Sequence, residues 1–319
     1  MKIRLGYVAL SKALDNITTS STITYTNYQK LDDSIRNDKL DNIIKSNFIN
    51  LEKIINYNIK NNIHFYRLTS KLIPLATLSE VEYEYINEYK KEYESIGKII
   101  NNSKMRIDTH PDQFCVLNSV DKKIVDNSIS ILNYHKNILS AFKIINSKIL
   151  IHVGSSSFGK DKSISRFINN FNKLDAKIQN MLLLENDDKV YNIVDTLNLC
   201  KRINVPMVLD YHHYMCNNNG EKITSYIKEI FDTWNKEELV PKIHFSSPKN
   251  KTKKDIRSHH DYINSDDFIN FIEQIKFVDR DFDVMIEAKM KDDALFRLVR
   301  ELKYKTNYKF IDETTFVIE

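Results

Sequence analysis

Short apolar runs in this chain keep ending in a residue that can bind a metal ion. His110 closes "MRIDTH", His152 follows "KILI", Glu185 follows "MLLL", Asp210 ends "VPMVL", His244 follows "PKI" and Glu287 follows "DVMI". The runs are rich in Ile, Leu and Val without clear alternation, as parallel strands buried on both faces are. They predict strands over Ile3–Val8, His64–Leu68, Met105–Thr109, Ile149–Val153, Met181–Leu184, Pro206–Leu209, Lys242–Phe245 and Asp283–Ile286. Helical spacing fills the intervals. Ile43, Ile44, Phe48, Leu51, Ile54 and Ile55 mark Asp41–Asn61, and Ile129, Leu132, Ile138, Leu139 and Phe142 mark Ile124–Ile145. Shorter versions cover Tyr191–Arg202, Ile223–Trp234, Asp266–Val278 and Asp292–Leu302. Strand then helix, about eight times over, is the order of an α/β protein of the (β/α)8 TIM-barrel type. Such a barrel builds its active site from residues at the carboxyl ends of its strands. The residue types found there suit Zn²⁺, Mn²⁺ or a similar ion.

No linker or low-complexity tract divides the chain, so residues 1–319 are expected to form a single domain. Cys115, Cys200 and Cys216 show no CxxC spacing, which argues against a disulfide scaffold or a thiolate zinc site and suggests a cytoplasmic protein. No apolar run approaches the roughly 18–20 residues of a membrane span. The net charge of +4 permits a polyanionic partner without demanding one. Two connections are long for such a fold, Leu10–Asp38 and Ser246–Tyr262, and both should emerge on the face that carries the ligand candidates.

The segment "GSSSFGKD", Gly154–Asp161, nearly matches a phosphate-binding GxxxxGK[ST] loop. Asp161 stands where the metal-coordinating hydroxyl belongs and would repel a phosphate, so that reading is set aside. In "IDTHPDQF", Pro111 stops the strand at His110. A lone strand-end histidine is usually bonded to backbone, but six strand ends with ligand chemistry favour ligation. Gln113 and Phe114 sit just beyond; the ring could be core or could wedge into a nucleic-acid stack. Glu185 in "LLLENDD" has two oxygens with which to bridge two ions, whereas Asp187 and Asp188 read as helix N-terminal charges. In "LDYHHY", His213, three residues past Asp210, is the preferred ligand and His212 the alternative. In "KIHFSS", Lys242 shares a strand face with His244. A lysine there must be paired, neutral or chemically modified, because an unpaired buried charge is costly. "RSHHDY" adds His259 and His260, equally readable as solvated loop residues. Seven of the nine histidines thus fall in motifs, leaving His64 and His135 as structural. That supply of ligands suffices for two or three ions.

These motifs, in this order, resemble the UV damage endonucleases of the UvdE or UvsE type, which share a barrel and a three-metal logic with endonuclease IV. The resemblance spans nearly the whole chain, through "RLGYV" (Arg4–Val8), "YRLTSKLIP" (Tyr66–Pro74), "HPDQF" (His110–Phe114), "HVGSSSFGKDKS" (His152–Ser163), "LENDD" (Leu184–Asp188), "LDYHH" (Leu209–His213), "KIHFSS" (Lys242–Ser247), "RSHHDY" (Arg257–Tyr262) and "VMIEAKMKD" (Val284–Asp292). It implies that Glu185 bridges two ions, that His110 and His152 complete one site, and that Asp210, His244 and Glu287 complete a second. The histidine of "DYHH" and His259 would hold a third. Lys242 matches a carboxylated lysine, Gln113 and Phe114 a pair that probes the damaged dinucleotide, and Tyr7 an aromatic near the lesion pocket. Two positions depart from some relatives: Leu78 where they carry His, and Ser11 where they carry Asn.

The resemblance implies a hydrolase that nicks duplex DNA immediately 5′ of pyrimidine dimers and 6-4 photoproducts, with abasic sites as a further candidate. The products would be a 3′-hydroxyl and a 5′-phosphate. Catalysis would rest on Glu185, Lys242, His110 and His244 with two or three divalent ions. Mn²⁺ is expected, with Zn²⁺ or Mg²⁺ as alternatives. Damaged double-stranded DNA is the expected partner and a monomer the expected state. The basic run Lys249, Lys251, Lys253, Lys254 and Arg257 would contact backbone phosphates or stand as a solvated charge run. The rivals are an abasic-site nuclease, a sugar isomerase or epimerase with fewer ligands, and a non-catalytic metal or nucleic-acid binding protein.

Overall fold

Eight parallel strands form where the apolar runs stand: β1 (Lys2–Val8), β2 (Phe65–Leu68), β3 (Arg106–Thr109), β4 (Lys148–His152), β5 (Leu182–Glu185), β6 (Met207–Asp210), β7 (Lys242–Phe245) and β8 (Phe282–Ile286). The computed structural model describes residues 1–319 except 79, 82, 251, 253 and 254. The ladder runs from β2 through β8 to β1, and β1 pairs again with β2, so the parallel sheet closes into a barrel. The second edge of β1 is shared. Its Tyr7–Val8 end meets β2, whereas Lys2–Arg4 pairs antiparallel with a strand at Thr315–Val317, which also pairs with Lys309–Phe310. That terminal hairpin is absent from the sequence reading; strands of two or three residues leave no periodicity to detect.

Alternate strand residues point to opposite faces. The outward set, including Ile107, Ile149, Ile151, Leu182, Leu184, Met207, Leu209, Val284 and Ile286, packs with the surrounding helices in the main core. The inward set fills the barrel. Leu150, Leu183 and Val208 cluster with Trp234, and Val8, Phe65 and Met285 form a second plug. The Trp234 ring is fully buried and its Nε1 donates to the Met207 carbonyl at 2.7 Å. Truncating such a side chain costs about 3–5 kcal/mol. This filled interior is the floor on which the strand-end residues stand.

The helices follow the periodic segments with shifted limits. Asp33–Lys60 begins before the expected Asp41 and turns Leu40, Ile44, Phe48, Leu51, Ile54 and Ile55 inward. Helical turns at Tyr25–Gln29 and from Asp33 onward therefore occupy the second half of the first long connection. Ile193–Ile203 starts at a capping box in which Asn192 and Asp195 satisfy each other's amides. Lys90–Ser103 and Lys160–Phe171 were not anticipated, although Tyr93, Ile96, Ile100, Phe167 and Phe171 line their buried sides. No helix among the described residues is long and apolar enough to cross a membrane.

Candidate metal centre

Because the strands are parallel and in register, their carboxyl ends converge. His152 pairs with Glu185 across β4 and β5, and Asp210 with His244 across β6 and β7. Glu185 lies at the middle and is almost fully buried. Its Oε1 is 2.9 Å from His110 Nε2 and 3.0 Å from His152 Nε2, while its Oε2 is 2.9 Å from His244 Nδ1. His244 Nδ1 also lies 3.1 Å from Glu287 Oε1 and 3.9 Å from Asp210 Oδ2. Ligand atoms of His110, His152 and Glu185 fall within 4.8 Å of one another, and so do those of Glu185, Asp210 and His244. One carboxylate thus belongs to two groups of three.

The arrangement fits cations better than it fits itself. Among the described residues, Glu185 Oε2, both ring nitrogens of His244, and the Nδ1 atoms of His110 and His152 are buried without a hydrogen-bond partner. Buried polar atoms in this state are costly; Glu185 Oε2 and His244 Nδ1 face each other inside the cluster, where a cation would satisfy them, whereas the Nδ1 atoms of His110 and His152 point away from Glu185. Burial alone would raise the Glu185 carboxyl, but His152, His244 and His110 outweigh it and hold it well below the ordinary range. Burial pushes His110 down to about 4 despite Glu185. The same burial opposes protonation of His213, yet Asp210 and then Glu185 overcome it and push that ring up to about 9. Imidazolium thus partly balances the carboxylates here, a role divalent ions can take over.

His213 reaches the cluster from the short helix Tyr211–Cys216, with Nδ1 3.4 Å from Asp210 Oδ2. Its Nδ1–H donates to the Asn186 carbonyl at 3.0 Å, which leaves Nε2 as the free ligand atom. His212 is buried instead against Cys216 and the edge of His259. His259 comes from the far side, 3.9 Å from Glu287 Oε2. Neither His213 nor His259 belongs to the two groups of three. His260 turns outward, its Nδ1 accepting the Tyr262 amide. Lys242 is fully buried one layer below His244, and its Nζ is 2.8 Å from Asp108 Oδ2. The buried charge flagged by the sequence is therefore paired.

Gln113 and Phe114 are exposed on the connection after β3, Phe114 by 67%. Lys249 and Arg257 are exposed and face Asp255 at 3.7 Å and Asp188 at 3.3 Å, so each carries a carboxylate partner of its own. Lys251, Lys253 and Lys254 lie outside the described residues. Tyr7 requires a correction. It is fully buried, and its hydroxyl donates to Asn58 on the helix Asp33–Lys60 at 2.7 Å. Strand parity explains this: Arg4 reaches inward to Asp283, so Tyr7 falls on the outward, helix-covered face. It is a core residue. Ser11 donates to Asp292 at 2.6 Å and is likewise buried.

A family model described as UV-endonuclease UvdE matches residues 3–315. The chain belongs to the UV-endonuclease UvdE family. A UV DNA damage endonuclease from Bacillus thuringiensis subsp. konkukian (strain 97-27) is 39% identical over 316 residues, covering 99% of either chain. The crystal structure of SacUVDE superposes with a TM-score of 0.85 at 32% identity, over 95% of this chain and 98% of that one. Endonuclease IV from Thermus thermophilus shares the fold at 11% identity, with a TM-score of 0.53 over 80% of this chain and 95% of that one.

Two residues of this UvdE-family site escaped the sequence reading. Arg67, next to the last residue of β2, extends its guanidinium onto Glu287. Burial would raise the Glu287 carboxyl, but Arg67 and then His244 outweigh it and hold it far below its ordinary range. Arginine is no metal ligand, so its residue type carries no donor signal, although it stands near a strand end like the others. Asn186 is the second. Its side chain exchanges two hydrogen bonds with the Asp210 backbone, at 2.9 and 3.0 Å, while its carbonyl fixes His213.

Proposed function

We propose that the protein is a metal-dependent DNA repair endonuclease that nicks duplex DNA immediately 5′ of UV lesions. Pyrimidine dimers and 6-4 photoproducts are its substrates, with abasic sites as a further one. The observation that carries this reading is Glu185, a single buried carboxylate shared by two convergent ligand groups. His110 and His152 would hold one ion with Glu185, and Asp210, His244 and Glu287 a second. His213 and His259 would serve a third. Mn²⁺ suits these mixed oxygen and nitrogen donors, as Zn²⁺ does. A bound divalent ion lowers the pKa of water toward neutrality and offsets charge on phosphate oxygens.

The residues divide the remaining work. Arg67 restrains Glu287, and Asn186 restrains Asp210 and His213, so the ligand shell is fixed before substrate arrives. Hydrolysis joins a water oxygen to phosphorus and breaks the P–O3′ bond, giving a 3′-hydroxyl and a 5′-phosphate. Gln113 and Phe114 probe the duplex. A lesion stacks badly, so opening the helix there costs less than in intact DNA, and selectivity follows from deformability. Lys249 and Arg257 contact backbone phosphates once released from their carboxylates. Lys242 would carry a carboxyl adduct in the metal-loaded protein only. Its charge in the metal-free protein is met by Asp108, so support for the adduct comes from Arg106 Nη2, buried without a hydrogen-bond partner among the described residues while Nε faces Asp108. The enzyme acts as a cytoplasmic monomer.

The test is an end-labelled duplex carrying one pyrimidine dimer, incubated with Mn²⁺ and either the native protein or Glu185→Gln. The native protein should produce one nick 5′ of the dimer, and the variant none while remaining folded. Near-native nicking by the variant at saturating Mn²⁺ would remove Glu185 from the reaction.

A further inference from the structure

The metal centre leaves "GSSSFGKD" without a role. This segment is the connection that leaves β4 directly after His152, so it rises from the metal face. At its turn Phe158 is 76% exposed and adopts a φ of +64°, a region that non-glycine residues rarely enter. The loop beneath is tightly held. Asn118 donates to the Ser155 carbonyl at 2.7 Å and accepts the Ser155 amide at 2.9 Å, and the Tyr191 hydroxyl donates to the same carbonyl at 2.8 Å. Arg166 donates to the Ser157 carbonyl at 2.6 Å and to the Asn118 carbonyl at 2.9 Å. Gly154 makes this closeness possible: with φ at +110°, a Cβ there would lie 2.5 Å from Asn118 Oδ1. A large apolar ring is thus displayed to solvent by a loop with little freedom to withdraw it.

Asn118 also belongs to the connection that carries Gln113 and Phe114. Its bonds to Ser155, with a further bond from Asn170 to the Leu117 carbonyl at 2.7 Å, lace the two neighbouring loops into one piece. Phe114 and Phe158 are exposed rings of that piece, one on the connection that leaves β3 and the other on the connection that leaves β4. We infer that Phe158 is a second aromatic contact for duplex DNA, stacking on a base or sugar displaced at the lesion. The inference rests on the nuclease reading above. Nucleic acid fits the patch better than protein does. One ring on a narrow turn falls far short of the roughly 1,000 Å² a stable protein interface needs. A single base face is matched in size by a phenyl ring, and a fixed ring has little ordering entropy left to lose. Exposed Lys162 follows in the next turn, next to Asp161 and to Lys160, whose amine meets Asp195.

The test compares native protein, Phe158→Ala and Phe158→Trp, all loaded with Mn²⁺, against a duplex with a single abasic-site analogue. Loss of one stacking contact should weaken binding by Phe158→Ala roughly 5- to 100-fold, with metal content unchanged. Phe158→Trp should restore binding, and its emission should be quenched by the duplex. The natural Trp234 is fully buried and provides the constant background. Equal affinity of the alanine variant, or tryptophan emission indifferent to saturating duplex, overturns the inference. If native protein nicks damaged DNA while both readouts stay flat, only Phe158 is wrong. If duplex quenches Phe158→Trp but the native protein cuts no damaged substrate, the nuclease reading fails and the contact survives.

Discussion

Asp108→Asn should destabilise the barrel far more than an ordinary surface substitution, because it strips two buried cations of their shared carboxylate. Asp108 and Lys242 are both inaccessible to solvent, with Lys242 Nζ at 2.8 Å from Asp108 Oδ2 and Arg106 Nε at 3.3 Å from the same oxygen. Removing one partner of a buried pair costs about 3–5 kcal/mol, since the other charge is left uncompensated. Arg106 retains Asp283 at 2.9 Å, so the burden falls mainly on Lys242 and the lower half of that range applies. At about 2 °C per kcal/mol for a chain of this size, the apparent Tm should fall by roughly 6–8 °C. Thermal unfolding of the metal-free protein measures this. The double variant Asp108→Asn with Lys242→Met, which removes the stranded ammonium, should recover a good part of the loss as a coupling energy of about 0.5–3 kcal/mol. A shift under about 2 °C in the single variant, or strictly additive losses in the double, would refute the pairing argument.

Replacing both Gln113 and Phe114 by alanine should weaken binding of damaged duplex roughly 5- to 100-fold without loss of metal, as titration and metal analysis would reveal; loss of metal, or normal cutting, would make the loop structural. Lys242 should show density for a carboxyl adduct in a high-resolution structure of the metal-loaded protein, and the adduct should be lost at low pH; a bare amine beside fully occupied ions would defeat that assignment. At Asp312, burial would raise the carboxyl, but the Thr314 amide and His64 outweigh it and hold it below its ordinary value. Its contribution to stability is thus present above an unfolded pKa of about 3.9 and lost as pH falls through the folded value. The stability gap between native protein and Asp312→Ala should close in acid; a gap that persists at pH 2 would show that the carboxylate charge is not its origin.

Strand ends were legible because each ligand interrupts an apolar run at the point where the barrel stops being filled. His152, Glu185 and Asp210 each stand as the last residue of a strand, and the expected strand limits fall within one residue of those observed. Facing was harder. On β1 the polar Lys2 and Arg4 alternate with buried Ile3 and Leu5, which places Tyr7 on the same outward face, but Gly6 and Val8 are buried as well and blur the alternation toward the strand end. The deeper charged layer of Arg106, Asp108, Lys242 and Asp283 was half visible. Lys242 was recognisable as an odd core residue, but its partner Asp108 lies 134 residues away and becomes a neighbour only when the barrel closes. Arg67 and Asn186 act on ligands without being ligands, so a search by donor type could not find them. In the helix Lys160–Phe171, Ile164, Phe167, Ile168 and Phe171 recur at helical spacing, but the helix begins inside the near-match to a phosphate loop, where its first turn is polar.

Glu185 is proposed to join two cation sites at the carboxyl ends of the strands. Anomalous diffraction at the manganese edge, from crystals of Mn²⁺-loaded protein that nicks dimer-containing duplex, tests it most directly. One peak should lie against His110, His152 and Glu185 and a second against Glu185, Asp210, His244 and Glu287, with a third near His213 and His259. Crystals of active protein with no peak touching Glu185, or with manganese bound only elsewhere, would contradict it.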